Sequence, residues 1–230
     1  MPFKPCDKCS VSEMALCNAL GCDDLKRLSE LAFEQSAQKG ETIINEADPA
    51  SYLFNVTSGA LKLYKLLPDG RRQITGFLFP GDFMGIAMND CYAYSAEVVE
   101  NCTLCRFSRP KLEKLMRDVP DLEHRLLNMV SNELVLAQEQ MLLLGRKTAQ
   151  EKVASFIKTL YERSLRRNPL ATSVPLPMSR SDIGDYLGLT TETVSRTFSA
   201  LKKNGVISIP DAGFVQINDP DELEDLSSGC

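Results

Sequence analysis

The sequence predicts an α+β protein. An N-terminal β-roll, wound as a double-stranded β-helix, is followed by a long dimerisation helix and a C-terminal winged helix-turn-helix. Three observations predict this. Glycine-marked turns recur 11 residues apart in the first half. An apolar stripe with alternating spacings of 3 and 4 fills the middle. Two short amphipathic segments joined across a glycine lie in the basic part of the last third.

The β-roll rests on its turn signals. Ser58-Gly59, Asp69-Gly70 and Pro80-Gly81 punctuate the segments Ala60–Leu67 and Gln73–Phe79, and Ala96–Val99 and Thr103–Phe107 continue the series. Short apolar segments spaced about 8–12 residues apart are the pattern of a sandwich or roll. Ahead of them, Leu25, Leu28 and Leu31 give a short helix an apolar face, with Asp23 the expected N-cap.

Pro110 suits a first helical turn, and Pro120 interrupts before Asp121 opens the next helix. Leu127, Val130, Leu134, Ala137, Met141 and Leu144 then form an a/d seam of 18 residues. Such a seam asks for a partner helix, and a second copy about a two-fold axis is the simplest partner. Packing onto the chain's own β-roll is the competing arrangement. Residues 147–168 form another amphipathic helix, and Pro169, Pro175 and Pro177 mark a connector. The expected division is a cysteine-rich segment over 1–22, a sensory roll over 23–119, the dimerisation helix over 120–146 and the DNA-binding domain over 147–230.

In the last domain, Ser179 and Asp182 make a capping-box-like start, and Ile183 and Leu187 form an inner face. Gly188 supplies the turn, and Thr190 or Thr191 caps a second helix whose inner face is Val194, Phe198 and Leu201. Asn204-Gly205 ends it. Two short helices about a glycine turn form a helix-turn-helix, whose second helix enters the major groove. Glu192, Ser195 and Arg196 share one face of that helix. Glutamate accepts from cytosine N4, and arginine forks onto guanine O6 and N7. Thr191, Thr193, Lys202 and Lys203 are candidates for phosphate, and Arg180 is a further candidate for DNA binding. Val206–Ile209 and Phe214–Ile217 flank a turn and read as the wing.

Charge agrees. The chain carries −5 overall, but residues 146–210 carry +6 between acidic flanks. A basic module in an acidic chain points to a polyanion. The single histidine, His124, excludes poly-histidine metal sites and argues against a Ser-His or Cys-His hydrolase, so no enzyme is expected. The N-terminal residues lack the apolar core of a signal peptide, and no run of about 18 apolar residues offers a membrane span. A cytoplasmic protein is expected.

Eight cysteines in a reducing compartment argue for ligation or burial rather than disulfides. Cys6, Cys9 and Cys17 form a Cys-x2-Cys-x7-Cys motif, which points to zinc or an iron–sulfur cluster. Cys22 is nearest in sequence as a fourth ligand. Spacing alone also allows a zinc site from Cys6, Cys9, Cys102 and Cys105.

The order of parts resembles the CRP/FNR family of bacterial transcription regulators across nearly the whole chain, with a roll like a cyclic-nucleotide-binding domain. Tyr186–Thr190 and Glu192–Arg196 are similar to that family's recognition region. The Glu192, Ser195 and Arg196 pattern resembles the FNR branch, which implies a TTGAT-N4-ATCAA inverted repeat read by a homodimer. Gly85-Ile86 and Tyr94-Ser95 stand where the cyclic-AMP branch has a Gly-Glu and an Arg-Ser pair, so no cyclic nucleotide is expected. The resemblance instead implies an oxygen-labile [4Fe-4S] cluster on Cys6, Cys9, Cys17 and Cys105, with Cys102 the second choice for the last. The gap between Cys9 and Cys17 resembles FnrN- and FixK-like regulators. The resemblance further implies an activator for anaerobic or microaerobic metabolism, nitrogen fixation or aromatic degradation among it. It also implies contact with RNA polymerase, and Pro68-Asp69-Gly70-Arg71 matches one such surface by position.

Overall fold

The computed structural model describes residues 6, 9, 11–87, 90–211 and 213–229. Met1–Pro5, read above against a leader, Ala212 of the wing turn and Cys230 lie outside them. The chain forms two compact units, residues 1–135 and 136–230.

In the first unit, helix α1 (Cys22–Leu31) leads into strands β1 (Ala32–Ala37), β2 (Thr42–Ile44), β3 (Tyr52–Leu66), β4 (Arg72–Leu78), β5 (Phe83–Met84) and β6 (Ser95–Ser108). All pairings are antiparallel, in the order β1-β6-β3-β4, with β2 also on β6 and β5 on β3. The long strands β3 and β6 are the spine. Ser58-Gly59 is not a turn but lies inside β3, where the β3–β6 register shifts repeatedly. Gly59 has φ +75°, and a Cβ there would collide with the Asn101 carbonyl. The glycine therefore serves a bulge that bends the strand, a role that sequence alone does not separate from a turn. α1 also begins earlier than expected. Gly21 is its N-cap without a side-chain bond, so Asp23 lies in the first turn, where the helix dipole favours a carboxylate.

This unit holds two cores. One fills the roll, with Val56, Leu61, Ala96, Val98, Cys102 and Leu104. The other lies between the sheet and the helices, around Leu16, Leu28, Leu53, Phe107, Leu112 and Leu122, with Cys17 and Cys105 packed against it. α2 (Arg109–Asp118) and the 27-residue α3 (Pro120–Arg146) follow.

The second unit contains α4 (Ala149–Arg167), β7 (Ser173–Pro175), α5 (Arg180–Leu187), α6 (Thr191–Lys203), β8 (Ile207–Ser208), β9 (Phe214–Ile217) and α7 (Pro220–Ser228). Thr148 and Glu151 close a capping box on α4. The proline connector carries β7, which joins β9 and makes the wing three-stranded in the order β7-β9-β8. Helix α7 packs on α4, where Lys158 meets Glu224 at 2.6 Å and Lys147 Nζ donates to the Ser227 carbonyl at 2.7 Å. Its start, Asp219 as N-cap before Pro220, is a standard helix signal that the acidic composition obscured. Among the described residues no helix is long and apolar enough to cross a membrane.

Candidate nucleic-acid interface and cysteine centre

The helix-turn-helix closes on itself through its caps. Ser179 and Asp182 exchange bonds, with Asp182 N donating to Ser179 Oγ at 3.0 Å and Ser179 N to Asp182 Oδ2 at 3.1 Å. Gly188 takes the left-handed conformation, φ 63° and ψ 41°, which ends α5. Thr190 is the N-cap of α6 and accepts from Thr193 N at 3.1 Å. Val194, Phe198 and Leu201 are buried as expected. That turns Thr191, Glu192, Ser195, Arg196 and Lys202 outward, all exposed. Ser199 shares their exposure and was not singled out from sequence, although its spacing of four from Ser195 would have found it. Arg196 and Glu192 face each other at 3.8 Å and are largely solvated, so the pair costs little to open onto bases. Arg180 is partly buried, its guanidinium 3.5 Å above the Phe198 ring, and burial holds its pKa below the ordinary arginine value. It therefore braces α6 against α5.

The seam is bare over most of its length. Leu127 is 60% exposed, Leu134 59% and Met141 72%, with Val130 and Ala137 also exposed. Val135, Leu136 and Leu142 widen the apolar surface beyond the expected stripe. Leu144 differs. It is half-buried against the turn at Gly188, within its own DNA-binding unit. His124 is an exposed helix residue.

The cysteines separate by strand parity. Cys102 and Cys105 lie three apart on β6, so they face opposite sides of the sheet. Cys102 belongs to the roll core, and burial followed by the nearby Glu41 pushes its thiol up to about 11. Cys105 lies on the helix side. Burial, then Cys9, Cys6 and Cys17, then Glu34, push its thiol up to about 12. The Cys17 thiol is also raised, chiefly by burial and then by Cys9. The fold thus gathers Cys6, Cys9, Cys17 and Cys105 into one electrostatic neighbourhood. Buried Val11, Ala15 and Leu16 pin the segment that carries the first three. Cys22 and Cys91 are exposed, and neither is among the groups that perturb Cys105. Among the described residues no group of three or more His, Cys, Asp or Glu side chains is set to hold a metal ion.

Where the nucleotide-binding pairs would stand, the roll is internally satisfied. Gly85 N donates to the Tyr94 hydroxyl at 2.9 Å, and Glu46 N donates to Ser95 Oγ at 3.0 Å. Burial raises the pKa of the Tyr94 phenol, which favours its neutral form.

A β-roll, a long helix with a bare apolar face and a winged helix-turn-helix with an outward reading face define a DNA-binding regulator. The cyclic nucleotide-binding domain family matches residues 34–119, and the Crp-like helix-turn-helix domain family matches residues 151–226. The chain is 40% identical to the nitrogen fixation regulation protein FixK of Bradyrhizobium diazoefficiens over 223 residues, 97% of this chain and 94% of that protein. It is 37% identical to the transcriptional activator protein FnrL of Cereibacter sphaeroides over 218 residues, 93% of this chain and 88% of that one. The solved structure of FixK2 from Bradyrhizobium japonicum is similar with a TM-score of 0.79 at 41% identity, covering 85% of this chain and 96% of that one. The chain belongs to the CRP/FNR family of bacterial transcription regulators and is a regulator, not an enzyme.

Proposed function

We propose that this regulator is an oxygen-responsive activator that binds FNR-box inverted repeats as a homodimer, with Cys6, Cys9, Cys17 and Cys105 as ligands of a [4Fe-4S] cluster. The observation that carries this is the convergence of three N-terminal thiols on Cys105, against Cys102 in the opposite core. A donor set of four thiols is soft and suits an iron–sulfur cluster or zinc. An oxygen-labile cluster held by these residues would supply a redox-sensitive tie between the N-terminal segment and β6.

The chain's own residues do the rest. The segment packs beside α2 and the start of α3 through Leu16 and Leu122. The bare seam from Leu127 to Met141 supports pairing with a second copy. A pair presents two α6 helices about 34 Å apart, one turn of DNA. Arg196 and Glu192 then read base edges, Ser195 adds a less selective contact, and Thr191 and Lys202 meet phosphate. Binding both half-sites together makes occupancy steep in dimer affinity. The Tyr94–Gly85 bond supports a roll that takes no cyclic nucleotide.

The proposed targets are genes of low-oxygen metabolism, and the likeness to FixK, a nitrogen fixation regulation protein, supports nitrogen fixation among them. For RNA polymerase, the β3–β4 tip is the proposed contact. Leu66 and Leu67 are exposed there beside a turn held by Asp69, whose carboxyl the Arg71 side chain and backbone bonds keep below its usual range.

The test is an electronic spectrum of anaerobically purified protein before and after air, with iron and sulfide counted per chain. Absorption that bleaches in air, with operator affinity falling alongside, is expected. A colourless, iron-free chain that binds the operator tightly overturns the reading. A second reading, a cluster-free FixK-like activator, is supported by the likeness to FixK. In that case Cys9→Ser and Cys105→Ser are silent. Zinc bound without colour is the third outcome, and elemental analysis separates it.

A further inference from the structure

We infer that Arg125 is a positioning residue for the cysteine centre, a cation on α3 that balances the charge of the ligating thiolates and ties their segment to the dimerisation helix. The inference rests on the ligand assignment proposed above and adds a residue that does not itself ligate.

Arg125 lies in the opening turns of α3, two positions before Leu127, where the bare seam begins. Its Nη2 donates to the Met14 carbonyl at 3.2 Å. Met14 sits in the pinned turn between Val11 and Leu16, three residues before Cys17. The helix thus already grips the cysteine segment by one bond. The same guanidinium has a second donor, Nε, that is buried and has no acceptor. An unmade bond at a buried charged group is costly, and a native chain keeps one where a partner is still to come.

Charge says what that partner is. Four thiolates around a dication leave a net charge of about −2, which a half-buried site must balance. The nearby carboxylate, Glu34, has the wrong sign and raises the Cys105 thiol. Other cations near this core are committed elsewhere. Arg27 bonds Asp24 and Asp118, and Arg106, whose Nε is likewise buried without an acceptor, shares the Cys102 face of β6 and lies 4.6 Å over the Tyr52 ring, away from the Cys105 side. Arg125 is the cation whose field reaches Cys17. With thiolates in place it holds the segment by charge as well as by the Met14 bond. With the site empty only the carbonyl bond remains. The state of the sulfurs is then felt two residues from the first seam leucine. Outer residues of this kind commonly change metal affinity by about 10–100-fold.

The experiment compares wild type, Arg125→Gln and Arg125→Lys as full chains, reduced and free of oxygen. Each is titrated with zinc against a chromophoric chelator and then assembled with iron and sulfide. Glutamine keeps a donor for the Met14 carbonyl and removes the charge, whereas lysine keeps the charge. Melting of the metal-free chains is followed in parallel. We expect R125Q to bind zinc about ten-fold or more weakly than wild type and to lose iron faster, with an unchanged metal-free melting point. R125K should recover most of the affinity. Equal affinity in R125Q and wild type overturns the inference alone, as does an R125K no better than R125Q. A metal-free R125Q that melts well below wild type also overturns it, because the role is then structural packing. A wild type that takes up neither zinc nor iron overturns the ligand assignment and this inference together.

Discussion

Between Ser179 and Lys203, the caps that shape the reading head are answered within three residues. Asp182 is met by Ser179 and Thr193 by Thr190, and Gly188 turns the chain between the two helices. The cysteine centre is answered from afar. Cys6, Cys9 and Cys17 precede α1, whereas Cys105 comes near the end of β6, after the whole roll has been built. A locally closed unit tolerates change elsewhere in the chain. A centre closed across a sheet depends on register, and a slip of one residue in β6 would turn Cys105 into the roll core. The recognition helix is therefore expected to survive damage that empties the centre, and the centre to be sensitive to single positions on one strand.

The largest effect expected from this contrast lies in a pair of substitutions three residues apart. Cys105→Ser should abolish iron uptake, and Cys102→Ser should leave it near the wild-type level, with iron and sulfide per chain as the readout. Equal behaviour of the two would break the comparison. Next comes the seam. In the proposed dimer, Leu134→Glu places a charge on an apolar face in both copies and removes one leucine from each side of the seam, each worth about 1.5–3 kcal/mol once covered. Operator affinity should fall by about 100-fold or more, and sedimentation should show monomers. Smaller and strictly local is Arg196→Ala. It should cost about 1–3 kcal/mol on the operator, shift affinity for unrelated duplex far less, and leave iron content unchanged.

The smallest effect is a pH dependence, and it belongs to the sheet rather than the reading head. Cys102 and Cys105 have thiols raised to about 11 and about 12. Between the ordinary thiol value of 9.0 and these values, the folded chain keeps protons that the unfolded chain has released. Stability should therefore fall as pH rises above that ordinary value. Melting of the metal-free sensory unit measured across that range should drop, and the double substitution Cys102→Ser, Cys105→Ser should flatten the fall. An unchanged slope would show that neither thiol titrates differently on folding.

The same contrast explains what could be read in advance. The turn, caps and inner face of the helix-turn-helix were legible because their partners are neighbours in sequence. The a/d spacing announced α3 and its bare face, yet not that Val135, Leu136 and Leu142 would also be uncovered or that Leu144 would be claimed by its own unit. Strands β1, β2 and β5 carried no readable signal, since short segments such as Ala32–Ala37 become strands only by pairing with a long neighbour.

The sequence by itself determined the reading head, the length and apolar face of the long helix, and the supply of thiols at each end of the sensory half. Only the tertiary structure decided that Gly59 serves a bulge, that Cys102 enters the roll core while Cys105 lies against the core on the helix side, and that Arg125 bonds the Met14 carbonyl. The reason is physical. Helical periodicity and caps act over one or two turns and leave a pattern along the chain. The pairing of distant strands, and the face each residue then presents, is set by packing among residues that no local spacing connects.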